Sequence, residues 1–474
     1  MFWIRFSLMV FTLIFVGIVA FNQFVPNFGL TFGRRLIVSI GTTTAYVGSC
    51  LLVAATNLIG FPIPFMWQIG ALLVGVYTPM MFVFVFGVAP FAVNSPFRPH
   101  LRRYIVLLIS YMSLGAVFPL YKLLYEHVPE TYKAGALVAL PMWRFAAKHF
   151  MMWTSRELED FVPVIIALTV DFFSAMFVSV CISSSSSIYL SVLFIAVDVG
   201  QALLEFREVS NNSHTILNLL EGETFRTPSN LLMRIVAVTR APSEFGIVSL
   251  KRTRLWACLP HPISLEQMDN LNALETSGLY GPKGLLSSRR KRQLRNKTEK
   301  LNSIVPASIS ELISQNSSMT LRSDSSSGIK AKELVDQGMD LLFHCEYLAL
   351  VEYVECVIPL VFATDKIILK QLPNVNYYPG GVVKWGEAAL ANVIIFAMLE
   401  VGSLFLLHYF LQRKFNFSLL YQLAFALETS MNFVQSALFL EIVGLLQYEL
   451  AHLGETGKRT VDNRKLMILL TFRS

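Results

Sequence analysis

Seven carboxylates inside otherwise apolar stretches are the side chains of this sequence with the clearest capacity for chemistry: Asp171, Asp198, Glu352, Glu355, Glu400, Glu428 and Glu441. An ionised carboxylate is expensive in hydrocarbon, so such residues face a bundle interior or a water-filled path and mark candidate ion or proton routes. Burial disfavours the charged form, which turns a carboxylate into a proton carrier near neutral pH. Asp171 and Asp198 sit on the two arms of one predicted hairpin. Glu352 and Glu355 are three residues apart and share a helix face. Glu400 and His408 are eight apart, about two turns, on one broad face. Asp171, Asp198, Glu352, Glu355, Glu400 and His408 together form the candidate ion or proton pathway. The competing reading makes these acids polar glue between helices, worth about 1 kcal/mol each, or places some of them near the interface, where charge is cheap. Glu428, Asn432 and Gln435 follow a helical stripe that suits glue.

A second cluster is basic. Arg289, Arg290, Lys291, Arg292, Arg295 and Lys297 follow Ser287 and Ser288, with Lys300 just beyond. On a cytoplasmic loop such a cluster attracts anionic lipid at about 1 kcal/mol per charge near the surface. Phosphorylation of the adjacent serines would weaken that attraction, and Ser323–Ser327 offers more sites. The plainer reading is a solvated loop obeying the positive-inside rule. On a lumenal loop, Arg289–Arg292 would suit a processing protease instead. Asn211, Asn296 and Asn316 open glycosylation sequons that argue for lumenal placement, although such triplets arise often by chance in Ser-rich sequence.

Enzyme signatures are missing from the sequence. It contains no phosphate-binding G-x-x-x-x-G-K-[ST], no G-x-S-x-G and no H-E-x-x-H. The eight histidines are scattered without an HxxH or HxxxH pair. The five cysteines (Cys50, Cys181, Cys258, Cys345 and Cys356) have no CxxC or Cys/His spacing, so they read as small buried apolar residues rather than a disulfide or zinc framework. No cofactor or metal is expected, and an enzyme hidden among the acids is the minor alternative.

The elements that must position these residues are apolar helices. Of 474 residues, 54% are hydrophobic and only 15% charged, against about 25% charged in soluble domains. The net charge of +7 fits basic cytoplasmic loops better than a nucleic-acid partner. About 20 mostly apolar residues cross a bilayer core. Runs of that kind are Phe6–Val25, Leu36–Ile59, Met66–Val93, Tyr104–Leu124, Phe161–Ile182, Ile188–Phe206, Glu346–Ile368, Ala388–Phe410 and Leu419–Leu446. The first reads as a signal anchor, with Arg5 before it. Gly41, Ala45 and Ser49 put small residues on one face of the second, where another helix can approach closely.

Ala134–Trp153 stays open between two placements. It is a short or re-entrant helix with Arg144, Lys148 and His149 at the cytoplasmic rim, or a basic helix lying in the interface on Trp143 and Trp153. If it spans, Arg34, Arg35, Arg98, Arg102, Arg103, Arg156 and the long polar loop share the cytoplasmic side, which favours ten spans and an outside N-terminus. Lys458, Arg459, Arg464 and Lys465 then fall outside unless one late run does not cross. The run broken by Gln422, Glu428, Asn432 and Gln435 is the best suspect. The expected fold is thus all-α and polytopic, with nine or ten transmembrane helices. A bundle of six or seven helices covers 1–206, and a polar, partly disordered cytoplasmic loop without sustained helical periodicity covers 207–342. Two or three helices in 343–447 and a basic tail, 448–474, complete the chain.

Three stretches, Gln201-Ala-Leu-Leu-Glu-Phe-Arg-Glu208, Glu346-Tyr-Leu-Ala-Leu-Val-Glu-Tyr-Val-Glu-Cys356 and Leu420-Tyr-Gln-Leu-Ala-Phe-Ala-Leu-Glu428, are similar to a group of uncharacterised multi-pass membrane proteins associated with oomycete genomes. Val170-Asp-Phe-Phe173 and Leu446-Gln-Tyr-Glu-Leu-Ala-His452 fit the same likeness. The resemblance covers the last two thirds of the chain better than the first. It implies several spans around a long polar loop, and brings no activity and no site residues.

Two functions follow from the residues. One is a carrier or channel for an ion or small solute that uses the intramembrane acids. The other is a non-transporting scaffold or signalling component whose basic loop binds anionic lipid or a protein partner. Either one resides in a lipid bilayer.

Overall fold

In the computed structural model, the described residues are 2–25, 27–56, 61–63, 65–128, 133–184, 231–245, 265–280, 325–378, 386–415 and 418–447, with scattered positions between 192 and 250. Asp198, the basic cluster Arg289–Lys297, the sequons at Asn296 and Asn316, and the tail 448–474 lie outside the described residues. Helices are the only extended regular structure among those described, beside one isolated bridge between Leu250 and Tyr280. In chain order they are α1 (Phe2–Phe24), α2 (Phe32–Ala55), α3 (Met66–Phe86), α4 (Arg98–His127), α5 (Lys133–Thr154) and α6 (Val162–Ser183). Then come α7 (Leu231–Arg240), α8 (Leu265–Thr276), α9 (Ser325–Lys370), α10 (Glu387–Phe415), α11 (Leu419–Thr429) and α12 (Met431–Gln447).

Six of the described helices are long and apolar enough to cross a bilayer: α1, α2, α3, α6, α9 and α10. The bent pair α11–α12 makes a seventh if it counts as one broken span. The expected nine or ten also included α4, α5 and Ile188–Phe206. The first two are helical but more polar, with arginines at one end of α4 and Arg144 and Lys148 within α5, and Ile188–Phe206 lies mostly outside the described residues. Ile69, Leu72, Val76, Met80 and Phe84 on α3 are exposed, as are Ile395, Met398, Phe405 and Leu406 on α10. Apolar helix faces of this extent are stable against lipid and not against water. The chain is a multi-pass α-helical membrane protein.

The residues form two compact units. The larger comprises Met1–Leu204, Glu346–Phe410 and Ser418–Ser474. At its centre is α6, with 94% of its most apolar window buried. Its apolar residues therefore run all round the helix rather than along one stripe. α1 packs along both α2 and α12, and α2 along α3. The small-residue face of α2 does receive a neighbour. A Cβ at Gly41 would overlap the Met81 side chain of α3, and the hydroxyls of Ser49 and Tyr77 are 2.7 Å apart. Beside them the Tyr46 hydroxyl donates to the Met66 carbonyl at 3.0 Å, with its ring over Gly70.

The last run is broken rather than straight. α11 and α12 meet at 86°. Ser430 between them leaves helical geometry at φ −103°, ψ 18°. A side chain inserted into the hydrogen-bond ladder is a recognised cause of such kinks, and here it is Gln23 of α1. Its amide donates to the Thr429 carbonyl at 3.3 Å and accepts from the Phe433 N–H at 3.1 Å. One side chain thus satisfies an acceptor at the end of α11 and a donor at the start of α12, groups that a helix break leaves open.

The smaller unit, Glu205–Cys345 with Leu411–Phe417, carries more order than the expected polar loop. Val238, Ile247, Leu250, Ala331 and Val335 form a buried cluster, with Phe245 and Tyr280 packed against it. The apolar residues of α7 and the first turns of α9 supply most of this core. Tyr280 shows the effect of its enclosure, since burial raises its phenol above the ordinary value.

Candidate functional site

The site is built on three helices of the larger unit. Arg144 and Lys148 are one turn apart on α5, so both extend from one face. Asp171 closes a π turn, Ala167–Asp171, within the otherwise α-helical α6. Such single-turn bulges occur frequently at functional sites, because the extra residue changes which side chains face a neighbour. Tyr347, Glu352 and Glu355 come from α9.

These residues meet in the interior. Asp171 has no exposed surface and Arg144 is 7% exposed. Asp171 Oδ1 accepts from Arg144 Nε at 2.8 Å and lies 3.2 Å from Lys148 Nζ. Asp171 Oδ2 accepts from the Tyr347 hydroxyl at 2.9 Å. Arg144 reaches Glu355 with its other arm, NH2 to Oε1 at 2.5 Å. Lys148 Nζ also stands over the Tyr347 ring, 5.1 Å from its centroid. The guanidinium therefore bridges two carboxylates on different helices, and a second cation and a phenol complete the coordination of one of them.

The electrostatics follow from the count. Two cations face two carboxylates, so these four groups sum to zero charge. Buried charges survive when paired and hydrogen-bonded, as here, but removing one partner leaves an uncompensated charge and costs about 3–5 kcal/mol.

Of the sequence-predicted pathway, Asp171 and Glu355 lie in this cluster. Glu352, on the same helix, accepts from Ser403 of α10 at 3.0 Å. Glu400 is three residues before Ser403 and buried. Cys356 lies within electrostatic reach of Glu352, Glu400 and Glu355, which places the three carboxylates around one part of α9. His408 lies two turns further along α10; its Nδ1 is buried without a hydrogen-bond partner among the described residues. Asp198 falls outside them.

The sequence reading put the basic residues of Ala134–Trp153 at a rim or in the interface; the structure buries Arg144 against Asp171 and Glu355, a pairing across helices that the reading did not contain. The available signal was the four-residue spacing of Arg144 and Lys148 in an apolar helix, with acids standing in other apolar helices.

No protein-family model matches the chain, and no curated protein or solved structure shows significant similarity to it. Its chemistry is therefore read from its own side chains. Among the described residues no three His, Cys, Asp or Glu side chains are arranged to hold a metal ion.

Proposed function

We propose that this membrane protein is a carrier or channel for an ion or small solute, and that the cluster of Asp171, Arg144, Glu355 and Lys148 is its ion-responsive element. One observation supports the reading: four ionisable side chains from three helices meet in the interior of the larger unit. Inside membranes such residues are costly, and they mark ion paths and proton relays. Glu352, Glu400 and His408 extend the set along α9 and α10, and Asp198 is its untested member on the predicted hairpin.

Reconstitution of the purified full-length chain into liposomes tests this. Proton or alkali-cation flux, read with internal dyes, is expected above that of empty vesicles. It is expected to be lost in Asp171→Asn and in Glu355→Gln proteins that remain folded. Full flux in folded variants of Asp171, Glu352, Glu355 and Glu400 would sink the proposal.

A second reading is favoured by the pairing of Arg144 and Lys148 with Asp171 and Glu355. A paired set braces helices without needing to move charge, which suits a scaffold whose basic segment Arg289–Lys297 recruits anionic lipid. It predicts no flux, together with loss of anionic-vesicle binding when Arg289, Arg290, Lys291 and Arg292 are neutralised.

A further inference from the structure

Glu441 on α12 is a buried acid apart from the ion cluster. Its side chain sits in the interior of the larger unit, 3% exposed. Oε1 accepts from the Tyr111 hydroxyl of α4 at 2.7 Å, and Oε2 has no hydrogen-bond partner among the described residues. Apolar side chains stand beside this pair. The neighbouring Leu440 packs on Gly17 of α1, and Phe173 of α6 stacks at a tilt on the Tyr111 ring, centroids 6.4 Å apart.

The described charged groups of the neighbouring helices are engaged by other partners or stand further along their helices. α1 carries only Arg5, three turns before Gly17. The π turn of α6 packs on α12, but its Asp171 carboxylate is engaged by Arg144, Lys148 and Tyr347. The arginines of α4 lie near its start, two turns before Tyr111, with Arg103 paired to Glu157. Glu428 of α11 lies beyond the bend. Among the described residues no cation forms an ion pair with Glu441.

A carboxylate with one neutral donor and no cation is poorly compensated in an apolar interior, whereas a carboxylic acid of the same shape is not. We propose that Glu441 and Tyr111 form a proton-binding site, with Glu441 held as the neutral acid at neutral pH. The dissociable proton sits on Oε2, and Oε1 is the carbonyl oxygen that accepts the Tyr111 hydrogen bond. The site stands whether or not the protein transports anything, because it depends on the geometry around Glu441 alone.

Infrared spectroscopy of the full-length protein in lipid at neutral pH provides the test. The wild type is expected to show a protonated-carboxyl C=O band that disappears in Glu441→Gln and persists in Asp171→Asn. Tyr111→Phe, which removes the donor to that carbonyl, is expected to move the band to higher frequency. The variant Tyr111→Phe serves as the readout should Glu441→Gln fail to fold. A band unchanged by either variant, or one that disappears in Asp171→Asn instead, overturns the proposal. A null flux assay leaves these bands as they are, so failure of the transport reading is seen separately.

Discussion

The cluster makes unequal demands on its members. Asp171 serves two cations and a phenol, so Asp171→Ala takes a carboxylate from both Arg144 and Lys148 and is expected to cost about 3–5 kcal/mol in folding stability. Tyr347→Phe removes one hydrogen bond to a carboxylate and is expected to cost about 1.5–3 kcal/mol. A paired change of Arg144 and Asp171 to apolar residues removes both charges at once, and is expected to cost less than Asp171→Ala. Unfolding of the purified protein in mixed micelles measures all three, and a double variant no more stable than the single one would show that the charges are not balanced against each other. The acids were visible in the sequence because a charge in an apolar run stands out. Their partners were not, because Arg144 and Lys148 look the same in sequence whether they reach for headgroups or for Asp171. Pairing across helices is set by which faces meet, and periodicity within one helix does not contain it.

The helices were legible in the same unequal way. Runs of about 20 apolar residues are enough to find α1, α2, α3 and α10. A break such as that between α11 and α12 has no Pro or Gly to announce it, and the polar residues Gln422, Glu428 and Asn432 only hinted that the run was unusual. Its cause, Gln23, lies on a helix more than 400 residues away. Gln23→Leu leaves two backbone groups at the break without their partner, and is expected to destabilise the α1–α12 contact by about 2 kcal/mol. Faster hydrogen exchange at the Phe433 amide would report it, and unchanged exchange there would show that the break holds itself. Close packing makes a second demand. A Cβ at position 70 would overlap the Tyr46 phenol, so Gly70→Ala forces the ring off its bond to the Met66 carbonyl. Overpacking of this kind costs about 1–3 kcal/mol, read as a lower thermal midpoint.

As a whole the protein is a bilayer-embedded helical bundle with a smaller unit that has its own apolar core. The positive-inside pattern expects the residues of 207–342 on the cytoplasmic side. Protease applied to sealed right-side-out vesicles should then leave that segment intact, and a glycosidase should leave the mobility of the native chain unchanged. Glycans at Asn211, Asn296 or Asn316 would reverse the orientation. The pairing of α1 with α12 also sets the timing of biogenesis. Ser436 donates to the Val16 carbonyl across 420 residues of chain. At about 5–20 residues per second of synthesis, the residues of α1 are made roughly 20–85 s before their partners in α12. Through that interval the Gln23 amide and the face of α1 that packs on α12 lack their partner. A message truncated before α12 leaves that state permanent, and so presents cellular quality control with an unpaired polar side chain in the first helix as its mark of an unfinished protein.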